Sequence, residues 1–178
     1  MKQKDLSQLL LEKSKTKRPG GGAPAGGSPP SANEGFTYDL RKPLGEPSIA
    51  RRVGKRLSKS ILKKGYTQAV GEGLGAYPAI GAITSAENSI KGGMIRKRRK
   101  GYDLNRLVEG PIDKSKPAVI IDDLVNTGEG LRLALKKCRE EGLKVAGAHS
   151  VAVLGDPAEA EEKMKGCGIW FDSLFIFQ

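Results

Sequence analysis

Two adjacent acidic residues, Asp122 and Asp123, stand directly after the continuous apolar run 118–121. Shortly beyond them, the Thr-Gly-Glu-Gly turn 127–130 opens a stretch with the spacing of an amphipathic helix. Backbone N–H groups of such a turn, together with the positive end of the helix dipole, can bind a terminal phosphate. The neighbouring carboxylates can accept hydrogen bonds from ribose hydroxyls or hold a hydrated Mg²⁺. The pattern indicates a phosphosugar site, the alternative being that the two acids only cap and solvate a strand end.

Two further segments are strongly basic. The stretch 96–106 (RKRRKGYDLNR) is typical of a solvated basic hairpin or of a nucleic-acid surface. Residues 1–18 can form a short basic helix, interpreted either as a frayed end or as an arm that docks on nucleic acid or on a partner chain. The candidate nucleic-acid contacts in these segments are Lys13, Lys15, Lys17, Arg18, Arg98 and Arg99.

The elements that must position these residues follow from hydrophobic periodicity and from turn residues. Helices are predicted over 48–64, 78–90, 131–141 and 157–165, and strands over 67–70, 93–97, 118–121, 145–154 and 174–177. This alternation predicts an α/β fold, with a mostly parallel sheet flanked by helices. Ligands of such sheets bind beyond the carboxyl ends of the strands, so we expect loops 71–75, 122–130 and 154–156 to meet there.

Composition sets the outer limits of the interpretation. The 178 residues include 31 Lys and Arg against 20 Asp and Glu, and the net charge of +11 favours polyanionic partners. The predicted organisation is a basic arm (1–18), a Gly/Pro-rich linker (19–35) and one domain (36–178). Neither a membrane span nor a secretion signal is visible, so we expect a cytoplasmic protein. Two cysteines and no Cys/His cluster argue against a disulfide framework and a zinc site.

The acidic pair and its glycine turn resemble the phosphoribosyl pyrophosphate (PRPP) signature of type I phosphoribosyltransferases, a Rossmann-like fold. Three more segments are similar to the orotate phosphoribosyltransferase branch of that family. They are Tyr38–Lys42, the early segment; Gly71–Ala82, the pyrophosphate loop and following helix; and Met94–Ile112, the mobile catalytic loop and its return strand. The resemblance covers roughly residues 36–156.

The resemblance implies a reaction in which a nitrogen of a base attacks C1′ of PRPP and displaces pyrophosphate, with Mg²⁺ bridging the diphosphate. Asp122 and Asp123 would then hold the ribose, favour the developing positive charge and serve as metal ligands. The mobile loop would close over the leaving group. The remaining roles would fall to Asn126, Thr127, Gly128, Glu129 and Gly130 for the 5′-phosphate, to Glu72, Gly73, Leu74, Gly75 and Arg96 for pyrophosphate, and to Lys97 and Lys100 for catalysis. The resemblance also implies a homodimer.

The sequence departs from the family pattern at several points of the site: Asn126 replaces a usual Thr or Asp, loop 71–75 lacks the usual basic side chain, and the base-covering hood is reduced or absent. Two further departures concern Tyr102 and Glu129. Tyr102 stands where the orotate enzymes have a histidine in the mobile loop, and a phenol titrates far above an imidazole. Glu129 stands where a small, hydroxyl or basic residue is usual. Its carboxylate should repel a dianionic phosphate unless it points outward, although backbone N–H groups could still bind the phosphate.

Two functions are consistent with these patterns. One is a phosphoribosyltransferase that acts on orotate or another base with PRPP and Mg²⁺. The other is a nucleotide-binding effector or regulator on the same scaffold, which works in a nucleic-acid-containing assembly such as a bacterial defence system. The high net charge and the basic segments favour the second, whereas the acidic pair with its glycine turn favours the first. One scaffold can host both functions.

Overall fold

The computed structural model describes residues 5–17, 36–99 and 105–178. Arg18, Lys100, Tyr102 and the linker predicted over 19–35 lie outside the described residues. The elements are α1 (Leu6–Ser14), β1 (Lys15–Lys17), β2 (Phe36–Tyr38), α2 (Arg41–Leu44), α3 (Pro47–Lys63), β3 (Gln68–Glu72), α4 (Gly73–Ala86), β4 (Lys91–Ile95), β5 (Val108–Glu109), β6 (Ala118–Val125), α5 (Glu129–Glu140), β7 (Val145–Leu154), α6 (Ala158–Gly166) and β8 (Trp170–Phe177). Among these described residues, no helix combines the length and the apolar character needed to cross a membrane.

A six-stranded sheet forms the centre of the molecule, in the order β5-β4-β3-β6-β7-β8. All neighbouring strands are parallel except β5, which runs antiparallel to β4. The mostly parallel sheet flanked by helices is confirmed. β6 lies between β3 and β7 and is buried on both faces, which explains its continuous apolar run.

Each face of the sheet carries its own hydrophobic cluster. Val119 and Ile121 face a cluster that includes the inner sides of α1, α3 and α4. Ala118 and Ile120 face the opposite cluster, which includes the inner sides of α5 and α6. The period-two alternation of β6 therefore divides the helices between two layers, one on either side of the sheet.

The N-terminal basic segment differs from the expected arm. Leu6 and Leu10 of α1 are fully buried in the first cluster, together with Leu40 and Phe177. β1 then pairs antiparallel with β2, with Thr16 opposite Thr37. Over residues 5–17 the segment is therefore part of the core rather than a frayed end, because its leucines follow a helical spacing that buries one face.

Several predicted boundaries also move. α4 begins at Gly73 rather than Pro78, because the proline lies inside the helix and not in its first turn. β6 continues through the two aspartates to Val125, and β8 begins at Trp170 rather than Leu174. By contrast, β7 has the predicted bounds.

His149 and Cys138 are buried. The imidazole of His149 lies 3.0 Å from the Ser150 carbonyl oxygen through Nδ1 and 3.1 Å from Ser60 Oγ through Nε2. Burial lowers the pKa of His149 and raises the pKa of the Cys138 thiol to about 12. Both groups are therefore neutral near pH 7 and stabilise the core rather than react.

Candidate functional site

The acidic pair and the glycine-rich loop meet at the carboxyl edge of the sheet. β3 and β6 are parallel neighbours, with Gly71 opposite Ile121, so the residues that follow both strands leave at the same edge. A Cβ atom at position 75 would overlap the Asp123 carboxylate. Any larger residue at position 75 would displace this carboxylate, because it lies directly against the backbone of the first turn of α4.

A cavity of about 580 Å³ opens over this contact. The positive end of the α4 dipole lies at its wall, as an anion site requires. The structure thus brings Asp123, three residues of the predicted pyrophosphate loop and one cation of the basic segment to one cavity. The lining residues are Tyr38, Asp39, Arg41, Gly73, Leu74, Gly75, Tyr77, Lys97, Asp123 and Leu124.

Five of these lining residues, Leu124 of β6 among them, were not among the predicted site residues. Tyr38, Asp39 and Arg41 reach the cavity from the segment between β2 and α2, and Tyr77 reaches it from α4. The Arg41 guanidinium donates to Asp39, with 2.6 Å between Nε and Oδ1, and this contact lowers the pKa of the Asp39 carboxyl. The likeness of 38–42 to the early segment of the orotate branch was the sequence signal that could have identified the first three.

The predicted phosphate turn surrounds a second cavity, of about 300 Å³, lined by Asp122 and residues 124–131. Gly128 has φ +76°, a conformation that favours glycine, and it precedes the first residue of α5. A Cβ at this position would also lie 3.2 Å from Ala160 Cα in α6. The turn is therefore fixed from two sides, with backbone N–H groups at the start of a helix where an anion can bind.

Glu129 does not leave an unpaired negative charge at this turn. Its carboxylate accepts two hydrogen bonds from the Arg132 guanidinium, at 2.8 Å to Nε and 2.6 Å to Nη2. The same contact lowers the pKa of Glu129. The repulsion expected between this side chain and a phosphate is thus offset by a cation one helical turn away.

The Asp122 carboxylate lies in a desolvated, negatively charged environment. Its Oδ1 accepts a hydrogen bond from the Asp123 backbone N–H at 2.9 Å, and a Cβ on Gly130 would lie 3.8 Å from its Oδ2. Burial, followed by the charges of Asp123 and Glu72, raises the pKa of Asp122 well above its usual value. The site therefore concentrates negative charge that a proton, a cation or a hydroxyl donor can stabilise.

The paired carboxylates fit Mg²⁺ in chemistry, since Mg²⁺ prefers oxygen ligands and is commonly bound through one or two carboxylates plus substrate phosphates. Among the described residues there is no group of three or more His, Cys, Asp or Glu side chains that could hold a metal ion alone. A metal at Asp122 and Asp123 would thus take its remaining ligands from water and from a bound diphosphate.

Glu72, expected near the pyrophosphate, lies apart from Gly73–Gly75. Its carboxylate forms an ion pair with Lys137 of α5. It lines a separate cavity of about 140 Å³, on the side of the sheet that α5 covers. The structure therefore brings Gly73, Leu74 and Gly75 to the larger cavity, but not the Glu72 side chain.

The cations of the basic segment 96–106 make different contacts. Lys97 lines the larger cavity, whereas Arg96 donates from Nε to Glu109 at 2.9 Å. Arg99 pairs with Glu141 at 2.5 Å, and Arg98 is exposed. Of the predicted loop cations that the structure describes, Lys97 alone faces the site cavity.

The other candidate nucleic-acid contacts are held partly within the chain. Lys13 forms an ion pair with Glu46, at 2.8 Å. Lys15 Nζ lies 4.5 Å from the centroid of the Phe36 ring. Lys17 is exposed. The charge of Lys13 is therefore paired with an acid, whereas Lys15 and Lys17 keep their charges.

Comparison with known proteins places this geometry in a family. No protein-family model matches the chain. Orotate phosphoribosyltransferase of Aquifex aeolicus is 30% identical over 144 residues, which cover 79% of this chain and 78% of that protein. The Corynebacterium glutamicum enzyme of the same name is 30% identical over 141 residues, 78% of this chain and 75% of that protein.

Solved structures agree with this assignment at the level of the fold. A phosphoribosyltransferase of Corynebacterium diphtheriae has a TM-score of 0.79 at 23% identity, covering 96% of this chain and 93% of that one. Orotate phosphoribosyltransferase of Mycobacterium tuberculosis, in a complex with PRPP, has a TM-score of 0.75 at 20% identity and covers the same shares. With its sequence relatives and its sheet in agreement, the chain belongs to the type I phosphoribosyltransferases, in the orotate phosphoribosyltransferase family.

Proposed function

We propose that this protein transfers a phosphoribosyl group between PRPP and a nitrogenous base, with orotate as the first candidate base. One observation carries the proposal most directly. The Asp123 carboxylate is fitted against Gly75, in a cavity shared with the N-terminus of α4 and Lys97. An acid for the sugar and a positive site for a diphosphate thus lie side by side, which is what cleavage of the bond between them requires.

The neighbouring turn completes the sites that the substrate needs. The 5′-phosphate binds to backbone N–H groups at the start of α5, where Gly128 allows the chain to turn. Asp122 and Asp123 accept hydrogen bonds from the ribose hydroxyls between the two anion sites. The PRPP-bound relative from M. tuberculosis, which has the same fold, supports this choice of substrate.

The reaction then uses the charges that the site supplies. A base nitrogen forms a bond to C1′, the bond from C1′ to the diphosphate oxygen breaks, and the proton on the base nitrogen passes to solvent. Positive charge that develops on the ribose is stabilised by the two aspartates. Negative charge that develops on the leaving group is stabilised by the α4 N-terminus and by Lys97. Mg²⁺, when bound through Asp122 and Asp123, would neutralise the diphosphate.

Calorimetric titration with PRPP and Mg²⁺ tests the proposal. We expect binding by the wild type and at least about a hundredfold weaker binding by Asp123→Asn, because removal of one buried charge-assisted contact costs several kcal/mol. The matched control is Asp113→Asn, the same substitution in the loop that leads into β6 from the opposite edge. It should bind as the wild type does.

Turnover is measured with the same preparations on orotate and on a panel of other bases. PRPP- and Mg²⁺-dependent loss of one base, abolished by Asp123→Asn, supports the transferase. Equal PRPP binding by wild type and Asp123→Asn would contradict the proposed site. Tight PRPP binding without turnover of any base would contradict the transferase and favour a nucleotide-sensing protein on the same fold.

A further inference from the structure

Helix α3 and the residue that follows it carry a concentration of positive charge that the candidate site does not use. Between Pro47 and Tyr66 the chain contains no acidic residue. The basic residues of this stretch are Arg51, Arg52, Lys55, Arg56, Lys59, Lys63 and Lys64. None of them lines either of the two larger cavities at the carboxyl edge.

These cations lie on the outward side of the helix. The inward side is apolar and buried, with Ile49, Val53, Leu57 and Ile61 in the core. The outward side contains a row with a spacing of four residues, formed by Arg51, Lys55, Lys59 and Lys63. Residues four apart rise by about 6 Å along an α-helix and turn by about 40°, so this row rises about 18 Å while it winds about 120° around the outward side.

Little of this charge is neutralised within the molecule. In the ranges 5–17, 36–99 and 105–178, Lys64 is the one cation of the set that forms an ion pair, at 3.7 Å to Asp172. Arg56 lies 5.4 Å from the centroid of the Phe175 ring, a contact that leaves its charge in place. Like charges four residues apart on a helix repel each other, so an anion bound along α3 would relieve this repulsion.

We propose that the outward face of α3 binds the phosphate backbone of a nucleic acid. A row of cations without acids suits a polymer with regularly spaced negative charges, and duplex DNA carries one phosphate about every 3.4 Å along each strand. A second copy of the chain is disfavoured with its own α3 at this face, since the two rows of cations would repel each other. An acidic membrane surface fits less well, because the apolar face that an inserting helix needs is already buried in the core of this protein.

Fluorescence anisotropy of a short labelled DNA duplex, measured between about 50 and 200 mM salt, tests the proposal. The variant is Lys55→Glu with Lys59→Glu, in the middle of the row. The matched control is Lys144→Glu with Lys165→Glu, two exposed lysines outside α3. Each double variant exchanges two positive charges for two negative ones, so the net charge changes equally. Urea denaturation verifies that both are folded, which we expect because the α3 changes remove repulsion.

We expect the α3 variant to bind the duplex at least tenfold more weakly at the lowest salt concentration, and the control to bind within about twofold of the wild type. The slope of log K against log salt should become shallower by about 2 in the α3 variant, as two phosphate contacts are lost. Three results would each overturn the proposal. They are an absence of duplex binding by the wild type at about 50 mM salt, an equal loss in both variants, and binding through α3 to phosphatidylserine vesicles but not to the duplex.

Discussion

The charged side chains of the helices are paired differently on the two faces of the sheet. On one face, Arg132 and Lys136 of α5 pair with acids three and four residues away, and Lys163 of α6 pairs with Glu159. On the other face, α3 carries several basic residues and no acidic residue. Helices on both sides pack a hydrophobic cluster against the same sheet, so the presence of a buried face does not explain the difference.

The comparison distinguishes two arrangements of charge: ion pairs between fixed partners, and a row of like charges. Around α5 each charge has a fixed partner, and the Arg132 contact with Glu129 lies at the turn where a phosphate is expected. Single substitutions there should have large effects that depend on geometry. Along α3 the charges act together on a distant anion, so single substitutions should have small effects that add.

The largest effect is expected for Gly75→Ala, which tests a contact of the site that depends on geometry rather than on summed charge. The new Cβ would overlap the Asp123 carboxylate and displace it, so PRPP affinity should fall by about a hundredfold or more. Gly81→Ala is the control, because a Cβ there meets nothing within 4 Å in the same helix. It should raise the free energy of unfolding by roughly 0.5–1 kcal/mol and leave PRPP binding unchanged. Equal PRPP affinity in the two variants would contradict the contact.

A pH-dependent effect is expected for Asp122→Asn. Burial and nearby charges raise the pKa of Asp122 in the folded state, so folding costs free energy wherever this group must ionise. The wild type therefore loses stability as pH rises through the raised pKa, and the variant does not. Urea denaturation at pH 4 and 8 should show that the advantage of Asp122→Asn increases with pH.

For Asp113→Asn, the same measurement should show the opposite dependence of stability on pH. Hydrogen bonds from Ser115 lower the pKa of Asp113 in the folded state. This group contributes stability above its unfolded pKa, and that contribution disappears as pH falls through the folded value. The Asp113 variant should thus be less stable than the wild type at pH 8 and approach it in acid. The same trend in both variants would show that burial at position 122 is not the cause.

The smallest effects are expected from charge changes on the helix surfaces. Lys59→Glu and Lys163→Glu should change the free energy of unfolding in opposite directions, and changes of the same sign would contradict the comparison. Lys59→Glu changes two repulsive contacts, with Lys55 and Lys63, into attractive ones. It should stabilise the protein by roughly 1 kcal/mol. Lys163→Glu removes the 3.6 Å pair with Glu159 and should destabilise by roughly 0.5–1 kcal/mol. Denaturation midpoints at low salt measure both effects, and added salt should reduce them.

The sequence predicted the sheet well because its strands are buried on both faces and separated by clear helix patterns. β7 was located at both ends, and the backbone pieces of the site were located through the acidic pair and the glycine turns. The start of α4 was missed because Pro78 is a signal for the first turn of a helix, while Gly73 and Gly75 are poor helix formers.

Contacts between distant parts of the chain were beyond the reach of local patterns. The pairing of Glu72 with Lys137 joins residues from β3 and α5, and no spacing rule indicates it. The burial of α1 was missed because the Gly/Pro-rich stretch beyond it favoured a tail. The contact of Glu129 with Arg132, three residues on, was within reach, since residues at that spacing are neighbours on a helix.

The burial of α1 has a consequence for the integrity of the molecule. Leu6 and Leu10 share a core with Phe177, near the other end of the chain, and the Phe177 ring lies 5.5 Å from that of Tyr38. A protease that cuts once between residues 18 and 35 would leave two fragments that adhere through these side chains and through the pairing of β1 with β2. The nicked protein would retain the assembled fold, whereas removal of the shorter fragment would open a hole beneath the last strand.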